Sequence, residues 1–116
     1  MTRARWKVRL SKPAAADFSA ILRHTKKAFG KRQVAIYNET IKAALSALDF
    51  GPNAIGSAVR DDIGKNLRVL HVSRNGRRGR YFIVYKASPE DAIEIVRILY
   101  DGMDLVRHMP PDFERE

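Results

Sequence analysis

The sequence contains no cysteine, so disulfide bonds, thiol chemistry and cysteine-ligated zinc are excluded. No apolar run approaches the roughly 20 residues of a membrane span, and no apolar signal segment follows the basic start. These absences predict a soluble, cytoplasmic protein without a membrane partner. The 116 residues are 45% hydrophobic and 30% charged, which is the size and composition of one folded domain over residues 1–116.

Signatures of catalysis are also missing from the sequence. There is no glycine-rich phosphate loop, since Gly76 and Gly79 lie in a predicted hairpin turn with no helix after them. No serine stands in a nucleophile-elbow motif. The three histidines are far apart and share no metal-ligand spacing: His24, His71 and His108. We therefore expect no cofactor, no metal and no catalytic residues.

Acidic residues are scarce and unevenly placed, so the chain carries a net charge of +9 and has a pI near 10.3. Residues 60–86 hold eight basic and two acidic side chains, whereas residues 87–116 hold three basic and eight acidic ones. Such an excess of positive charge can serve solubility alone. It can also indicate an anionic partner, either nucleic acid or an acidic protein.

The first half of the chain predicts a strand followed by two helices. Residues 5–10 alternate basic and apolar side chains, the pattern of a half-buried strand. Ser11 is a suitable N-cap, and Pro13 falls in the first turn of the helix that follows. Gly30 ends that helix, and apolar residues at helical spacing predict a second helix over residues 31–48. Two helices joined at one glycine form an antiparallel hairpin.

The second half predicts strands. Residues 51–64 are rich in turn formers. Three strand-like runs then favour an antiparallel meander: residues 67–74, 80–86 and 92–100. Asp104 could cap a short terminal helix through His108, and residues 110–116 form an acidic tail. The order β-α-α-β-β-β, with a short C-terminal helix, predicts an α+β fold with the helical hairpin on one face of a single sheet.

An arginine cluster is the main polar feature of the predicted meander. Arg74, Arg77, Arg78 and Arg80 surround one hairpin tip, and Arg68 lies one strand back. Guanidinium groups bind phosphates or carboxylates through two parallel hydrogen bonds. Alternatively, a highly charged tip keeps an edge hairpin from aggregating.

Three segments together resemble the RelE/ParE toxins of bacterial type II toxin–antitoxin systems. They are the opening LSKPAAADF of residues 10–18, the hairpin GRYFIVY of residues 79–85 and the closing IEIVRILYDGMDL of residues 93–105. The resemblance covers about residues 5–109, which it identifies as the core of one toxin domain, with 110–116 as the tail. The closing segment is most similar to the ParE branch.

The RelE branch of this family consists of ribosome-dependent mRNA endonucleases. Cleavage by the 2′-hydroxyl needs a base, a cation for the phosphorane charge and an acid for the leaving oxygen. The resemblance places Phe82 where an arginine follows the hairpin tyrosine, and Leu70 where a second lysine is expected. The expected C-terminal arginine falls near Asp101 and Gly102. The resemblance therefore implies that the endonuclease constellation is broken.

The ParE branch poisons DNA gyrase, and the resemblance implies a protein-binding inhibitor that a ParD-like antitoxin neutralises in a hetero-oligomer. Tyr100 stands where the closing ParE motif often has histidine, so the side chain there does not titrate near neutral pH. Two other interpretations of the sequence remain: a RelE-like endonuclease with rearranged catalytic groups, and a plain basic nucleic-acid-binding module.

The antitoxin is expected to place an amphipathic helix on the helical hairpin and an extended acidic segment beside the sheet. The segment from Arg97 to Met109 is expected to be needed for toxicity but not for antitoxin capture. The residues predicted to contact antitoxin or target are Arg68, Arg74, Arg77, Arg78, Arg80, Arg97, Tyr100, Met103, Asp104, Leu105 and His108.

Overall fold

The computed structural model describes residues 5–74 and 77–100, with the backbone alone for residues 73, 74, 77–80 and 100. Two helices and five strands follow one another, and they confirm the predicted α+β fold. The elements are β1 (Lys7–Leu10), α1 (Lys12–Phe29), α2 (Lys31–Ser46), a 3₁₀ turn (Ala47–Phe50), β2 (Ser57–Val59), β3 (Arg68–Arg74), β4 (Arg77–Ser88) and β5 (Ala92–Tyr100).

The five strands form one sheet in the order β1-β5-β4-β3-β2. Strands β2 to β5 pair antiparallel, whereas β1 runs parallel to β5. Val8 lies opposite Ile93 and Leu10 opposite Ile95, so the first strand of the chain pairs with the last described one. The sheet therefore has β1 at one edge and β2 at the other.

The first helix of the hairpin begins and ends where the sequence predicts. The Ala14 amide donates to the Ser11 hydroxyl oxygen at 3.1 Å, which is the expected N-cap of α1. Gly30 ends α1 with φ +89°, and its amide donates to the Lys26 carbonyl at 3.0 Å. The reversal at this one glycine brings α2 back against α1.

Two apolar layers follow the alternation of side chains across the sheet. The layer beneath the hairpin contains Ala14, Ile41, Leu48, Leu70, Val72, Ile83, Tyr85, Ile93, Ile95 and Ile98. The second layer contains Ile63, Leu67, Val69, Phe82, Val84, Val96 and Leu99. In the pairing of β3 with β4, Leu70 opposite Ile83 belongs to the first layer and Val69 opposite Val84 to the second. The hairpin thus covers one face, as predicted.

The structure differs from the predicted elements in three places. Strand β2 lies within the segment expected to be turns, and the second helix ends at Ser46, so that Leu48 is in the 3₁₀ turn. Strand β4 begins at Arg77 rather than at residue 80. The predicted terminal helix and acidic tail lie outside the described residues. Within the described part of the chain, no helix is long and apolar enough to cross a bilayer.

Candidate functional site

A β-bulge changes the direction of β5 halfway along the strand. Tyr85 of β4 lies opposite Ile95, but the next β4 residue, Val84, lies opposite Arg97, so Val96 is the extra residue. Pairing of β5 with β1 ends at Ile95, next to the bulge. A bulge re-aims the side chains that follow it, and here Arg97 reaches Asp17 of α1.

Asp17 and Arg97 form a two-pronged ion pair. Arg97 Nε donates to Asp17 Oδ2 at 2.6 Å, and Arg97 Nη2 donates to Oδ1 at 2.7 Å. The Ile98 amide also donates to Asp17 Oδ2, at 3.0 Å. The Arg97 side chain is only 20% exposed and that of Asp17 14%, and the hydrogen bonds that Arg97 donates to Asp17 raise the pKa of Arg97 above its ordinary value. Arg97 thereby fastens α1 to β5.

Ser11 joins the same elements on the other side of the bulge. Its amide donates to the Ile95 carbonyl at 3.0 Å, and its hydroxyl donates to the Val96 carbonyl at 2.9 Å. The hydroxyl oxygen also accepts from Ala14, the N-cap bond of α1. Ser11 and Asp17 therefore bond the backbone of β5 where β1 ends.

Arg68 and Tyr85 fasten the connection between the 3₁₀ turn and β2. The Pro52 carbonyl accepts from the Tyr85 hydroxyl at 2.5 Å and from Arg68 Nε at 2.9 Å. Arg68 Nη2 donates to the Ser57 hydroxyl oxygen at 2.9 Å. The guanidinium thus holds both ends of the segment between Pro52 and Ser57 against β3 and β4.

An apolar groove of about 660 Å³, here called the Trp6 groove, lies beside this connection. Its lining residues are Trp6, Ala47, Phe50, Gly51, Pro52, Asn53, Ala54 and Ile55. The Trp6 amide donates to the Asp49 carbonyl at 2.7 Å, which holds the 3₁₀ turn at the start of β1. Phe50 is 57% exposed and Ile55 fully exposed. Exposed apolar side chains around a groove are typical of a protein-binding surface.

Gly51 shapes this groove, and its replacement by alanine should be costly. Gly51 has φ +121° and ψ 177°, and an added Cβ would lie 3.3 Å from Trp6 Nε1. We expect Gly51→Ala to lower the free energy of unfolding by about 3 kcal/mol, measured by urea denaturation. The control Gly30→Ala has a similar backbone (φ +89°) and open space, so about 2 kcal/mol is expected. Equal losses would mean that the Trp6 contact adds nothing.

The structure places Arg68 and Arg97, two of the predicted contact residues, at separate positions. Arg68 bonds the connection between the 3₁₀ turn and β2, and Arg97 bonds α1. These bonds give each a structural role, and the predicted role in contacting antitoxin or target stays a prediction. The other predicted contacts lie outside what is described, namely the side chains of Arg74, Arg77, Arg78, Arg80 and Tyr100 and the residues Met103, Asp104, Leu105 and His108.

The resemblance to RelE endonucleases expects cations at positions 70 and 82. In the structure, Leu70 and Phe82 at these positions belong to the core. Leu70 is 4% exposed in the layer beneath the hairpin, and Phe82 is 8% exposed in the other layer. The Phe82 ring lies 4.1 Å from the His71 ring, centre to centre. Among residues 5–74 and 77–100, no group of three or more histidine and carboxylate side chains could hold a metal ion.

The helical hairpin carries a group of basic side chains near its turn that the sequence patterns did not single out. Residues 18–38 carry five lysine and arginine side chains and no acidic one. A charge count along residues 1–59 was the available signal, since this half holds eleven basic and three acidic residues.

Two solved structures of toxin–antitoxin systems share the fold of this chain. A chain of the chromosomal ParDE toxin–antitoxin system from P. aeruginosa superposes with a TM-score of 0.66 and 20% identity, over 85% of this chain and 98% of that one. A chain of the toxin–antitoxin complex RelBE2 from Mycobacterium tuberculosis gives 0.55 and 18%, over 88% and 98%. At these identities both show the fold alone. Among curated proteins, none matches the chain.

The family is shown by a sequence model instead. The model of the ParE toxin of the type II toxin–antitoxin system parDE matches residues 8–105, from β1 past the end of β5. The match includes both the helical hairpin and the whole sheet, and it confirms the resemblance of the closing segment to the ParE branch. The chain therefore belongs to the family of ParE toxins of type II toxin–antitoxin systems.

Proposed function

We propose that this type II toxin acts in the bacterial cytoplasm by poisoning DNA gyrase, without an active site of its own, and that a ParD-like antitoxin neutralises it. Membership in the ParE toxin family supports the choice of gyrase. The observation that carries the choice against mRNA cleavage is the burial of Leu70 and Phe82, on opposite layers of the core. Neither position offers a charge to a scissile phosphate.

The two described arginines closest to the RelE pattern are engaged in the fold. Arg68 bonds Pro52 and Ser57, and Arg97 bonds Asp17 through both prongs of its guanidinium. Redirecting either one to a phosphate would break bonds that hold the connection or α1 to the sheet. An endonuclease that used these two arginines would have to break the bonds that each makes within the fold.

The antitoxin is proposed to cover the apolar surface that the toxin leaves open. Phe50 is 57% exposed and Ile55 fully exposed, and both line the Trp6 groove. Val59 is 55% exposed. Large apolar side chains exposed in one region mark a surface that a partner covers. A ParD-like antitoxin that inserts apolar residues here explains why the toxin carries such a surface.

Strand β1 is the proposed edge for the acidic antitoxin segment. Lys7 and Ser11 donate their amides toward β5, to Asp91 at 3.1 Å and to Ile95 at 3.0 Å. Backbone N–H and C=O groups of successive residues in a strand point alternately to its two edges. Those of Val8 and Leu10 therefore point away from β5, to the outer edge of the sheet. Lys7 and Arg9 are exposed along the same strand. An added strand with acidic side chains would gain both hydrogen bonds and charge complementarity.

The proposed activity is tested with purified gyrase, ATP and supercoiled plasmid. Added toxin should convert plasmid to a linear, protein-linked form after detergent and protease treatment, and antitoxin added first should prevent this. In a translating ribosome extract, the same toxin should leave mRNA intact. Codon-specific mRNA cleavage together with unchanged plasmid would contradict gyrase poisoning and favour the endonuclease.

A further inference from the structure

The tip of the helical hairpin concentrates positive charge. We define the basic tip as the five exposed cations on either side of Gly30: Arg23, Lys26, Lys27, Lys31 and Arg32. No acidic residue occurs between Asp17 and Glu39. Asp17 faces β5, where it binds Arg97, so its charge is already balanced at the other end of α1.

Several of these charges are placed against the preferences of a helix. Arg23 and Lys27 are four residues apart on α1, where like charges repel. Lys31 and Arg32 occupy the first turn of α2, at the positive end of the helix dipole, and Gly30 provides no side-chain cap. Only Lys26 and Lys27 are at a favourable helix end, the C-terminus of α1. This arrangement lowers the stability of both helices. We therefore expect the tip cations to have a binding role that offsets this cost.

The described part of the chain supplies no counter-charge to the tip. The ion pairs that join Arg60 with Asp62, Lys86 with Glu94 and Arg97 with Asp17 include no tip residue. Among residues 5–74 and 77–100, the positive charge of the tip is therefore left unbalanced.

The shape of the tip favours a long polyanion over an acidic peptide. The tip cations lie on the last two turns of α1 and the first turn of α2, and Phe29, the last residue of α1, is 61% exposed. A peptide helix needs an apolar groove for its anchors, and none of the tip residues lines the Trp6 groove. A duplex presents about one negative charge per 1.7 Å of its length, so several phosphates lie within reach of such a cluster.

We propose that the basic tip binds the phosphate backbone of duplex DNA, so that the toxin contacts the DNA held by its target as well as the target protein. The choice of DNA over RNA rests on the proposed function, since gyrase acts on DNA. The binding itself depends only on the tip. It is sequence-independent, because phosphates carry no base information.

The test compares two full-length variants with equal net charge. The tip variant changes Lys26, Lys27, Lys31 and Arg32 to Gln. The control variant changes four exposed cations outside the tip to Gln: Arg5, Lys12, Lys42 and Lys65. Affinity for a fluorescent 30-base-pair DNA duplex is measured by anisotropy between about 50 and 200 mM salt, with circular dichroism to verify that both variants fold.

The tip variant should bind DNA about 30-fold more weakly at 100 mM salt, and the slope of log K against log salt should shrink by about three, since up to four phosphate contacts are lost. The control should lose less than about threefold in affinity. Equal losses in the two variants, or no salt-dependent binding by the unchanged toxin, would overturn the proposal. So would tighter binding of an RNA duplex of the same length.

Two further measurements separate this proposal from neighbouring ones. If the tip variant loses affinity for antitoxin but keeps its affinity for DNA, the tip serves an acidic protein and the proposal is wrong. If the unchanged toxin binds DNA through the tip but does not trap gyrase on plasmid, the role of the tip is supported while the proposed function is contradicted.

Discussion

Replacing Asp17 with alanine should lower the free energy of unfolding by about 3 kcal/mol, or the unfolding midpoint by roughly 10–15 °C. The change removes both bonds to Arg97 and the bond from the Ile98 amide, and it leaves a largely covered guanidinium without its carboxylate. Breaking one partner of a covered ion pair costs more than the pair contributes, because the remaining charge stays desolvated. Thermal and urea denaturation measure the loss.

The matched control is Asp62→Ala, which also removes a two-pronged bond to an arginine. Asp62 binds Arg60 with both oxygens at 2.8 Å, but its side chain is 64% exposed, and water replaces the lost partner. The bond from Arg60 lowers the pKa of Asp62, so whatever stability this pair contributes is present above the unfolded-state pKa and is lost as the pH falls. Asp62→Ala should leave the midpoint almost unchanged. A similar loss in both variants would show that burial does not decide the effect.

Combined loss of Arg68 and the Tyr85 hydroxyl should destabilise the protein by more than the sum of the two single changes. Tyr85→Phe alone should cost about 1 kcal/mol, since Arg68 Nε still donates to the Pro52 carbonyl, and Arg68→Ala about 2 kcal/mol. In the double variant the carbonyl loses both donors. The double loss should therefore exceed the sum by about 1 kcal/mol.

A double-mutant cycle by urea denaturation measures this coupling. Additivity within about 0.5 kcal/mol would mean that the two side chains do not share the carbonyl. The pair Tyr85→Phe with Asp62→Ala is a suitable reference cycle, because Asp62 bonds only Arg60 among the described side chains and should show no coupling.

Local signals in the sequence predicted most of the elements. The Ser11 cap, the stop at Gly30 and the alternation in residues 5–10 each depend on near neighbours in the chain, and the structure contains all three features. Strand β2 was missed because its three residues, Ser57–Val59, are too few to show alternation. Its position is decided by pairing with β3 and by the bond from Arg68 to Ser57.

The contacts of the site could not be predicted in the same way. Asp17 and Arg97 are 80 residues apart, and their meeting depends on a bulge at Val96. The run of β5 is so rich in isoleucine and valine that the sequence gives no sign of where the bulge falls. The same limit applies to the groove, because Trp6 meets Gly51 only once the 3₁₀ turn has docked against β1.

The parallel pairing of β1 with β5 has a consequence for protein synthesis. During translation β1 leaves the ribosome first, but its only partner strand among the described ones is the last to be made. Until β5 emerges, the amides of β1, the hydroxyl of Ser11 and the carboxylate of Asp17 lack their partners on it. The nascent chain therefore completes its sheet late, because β1 has no described strand to pair with until β5 has been made.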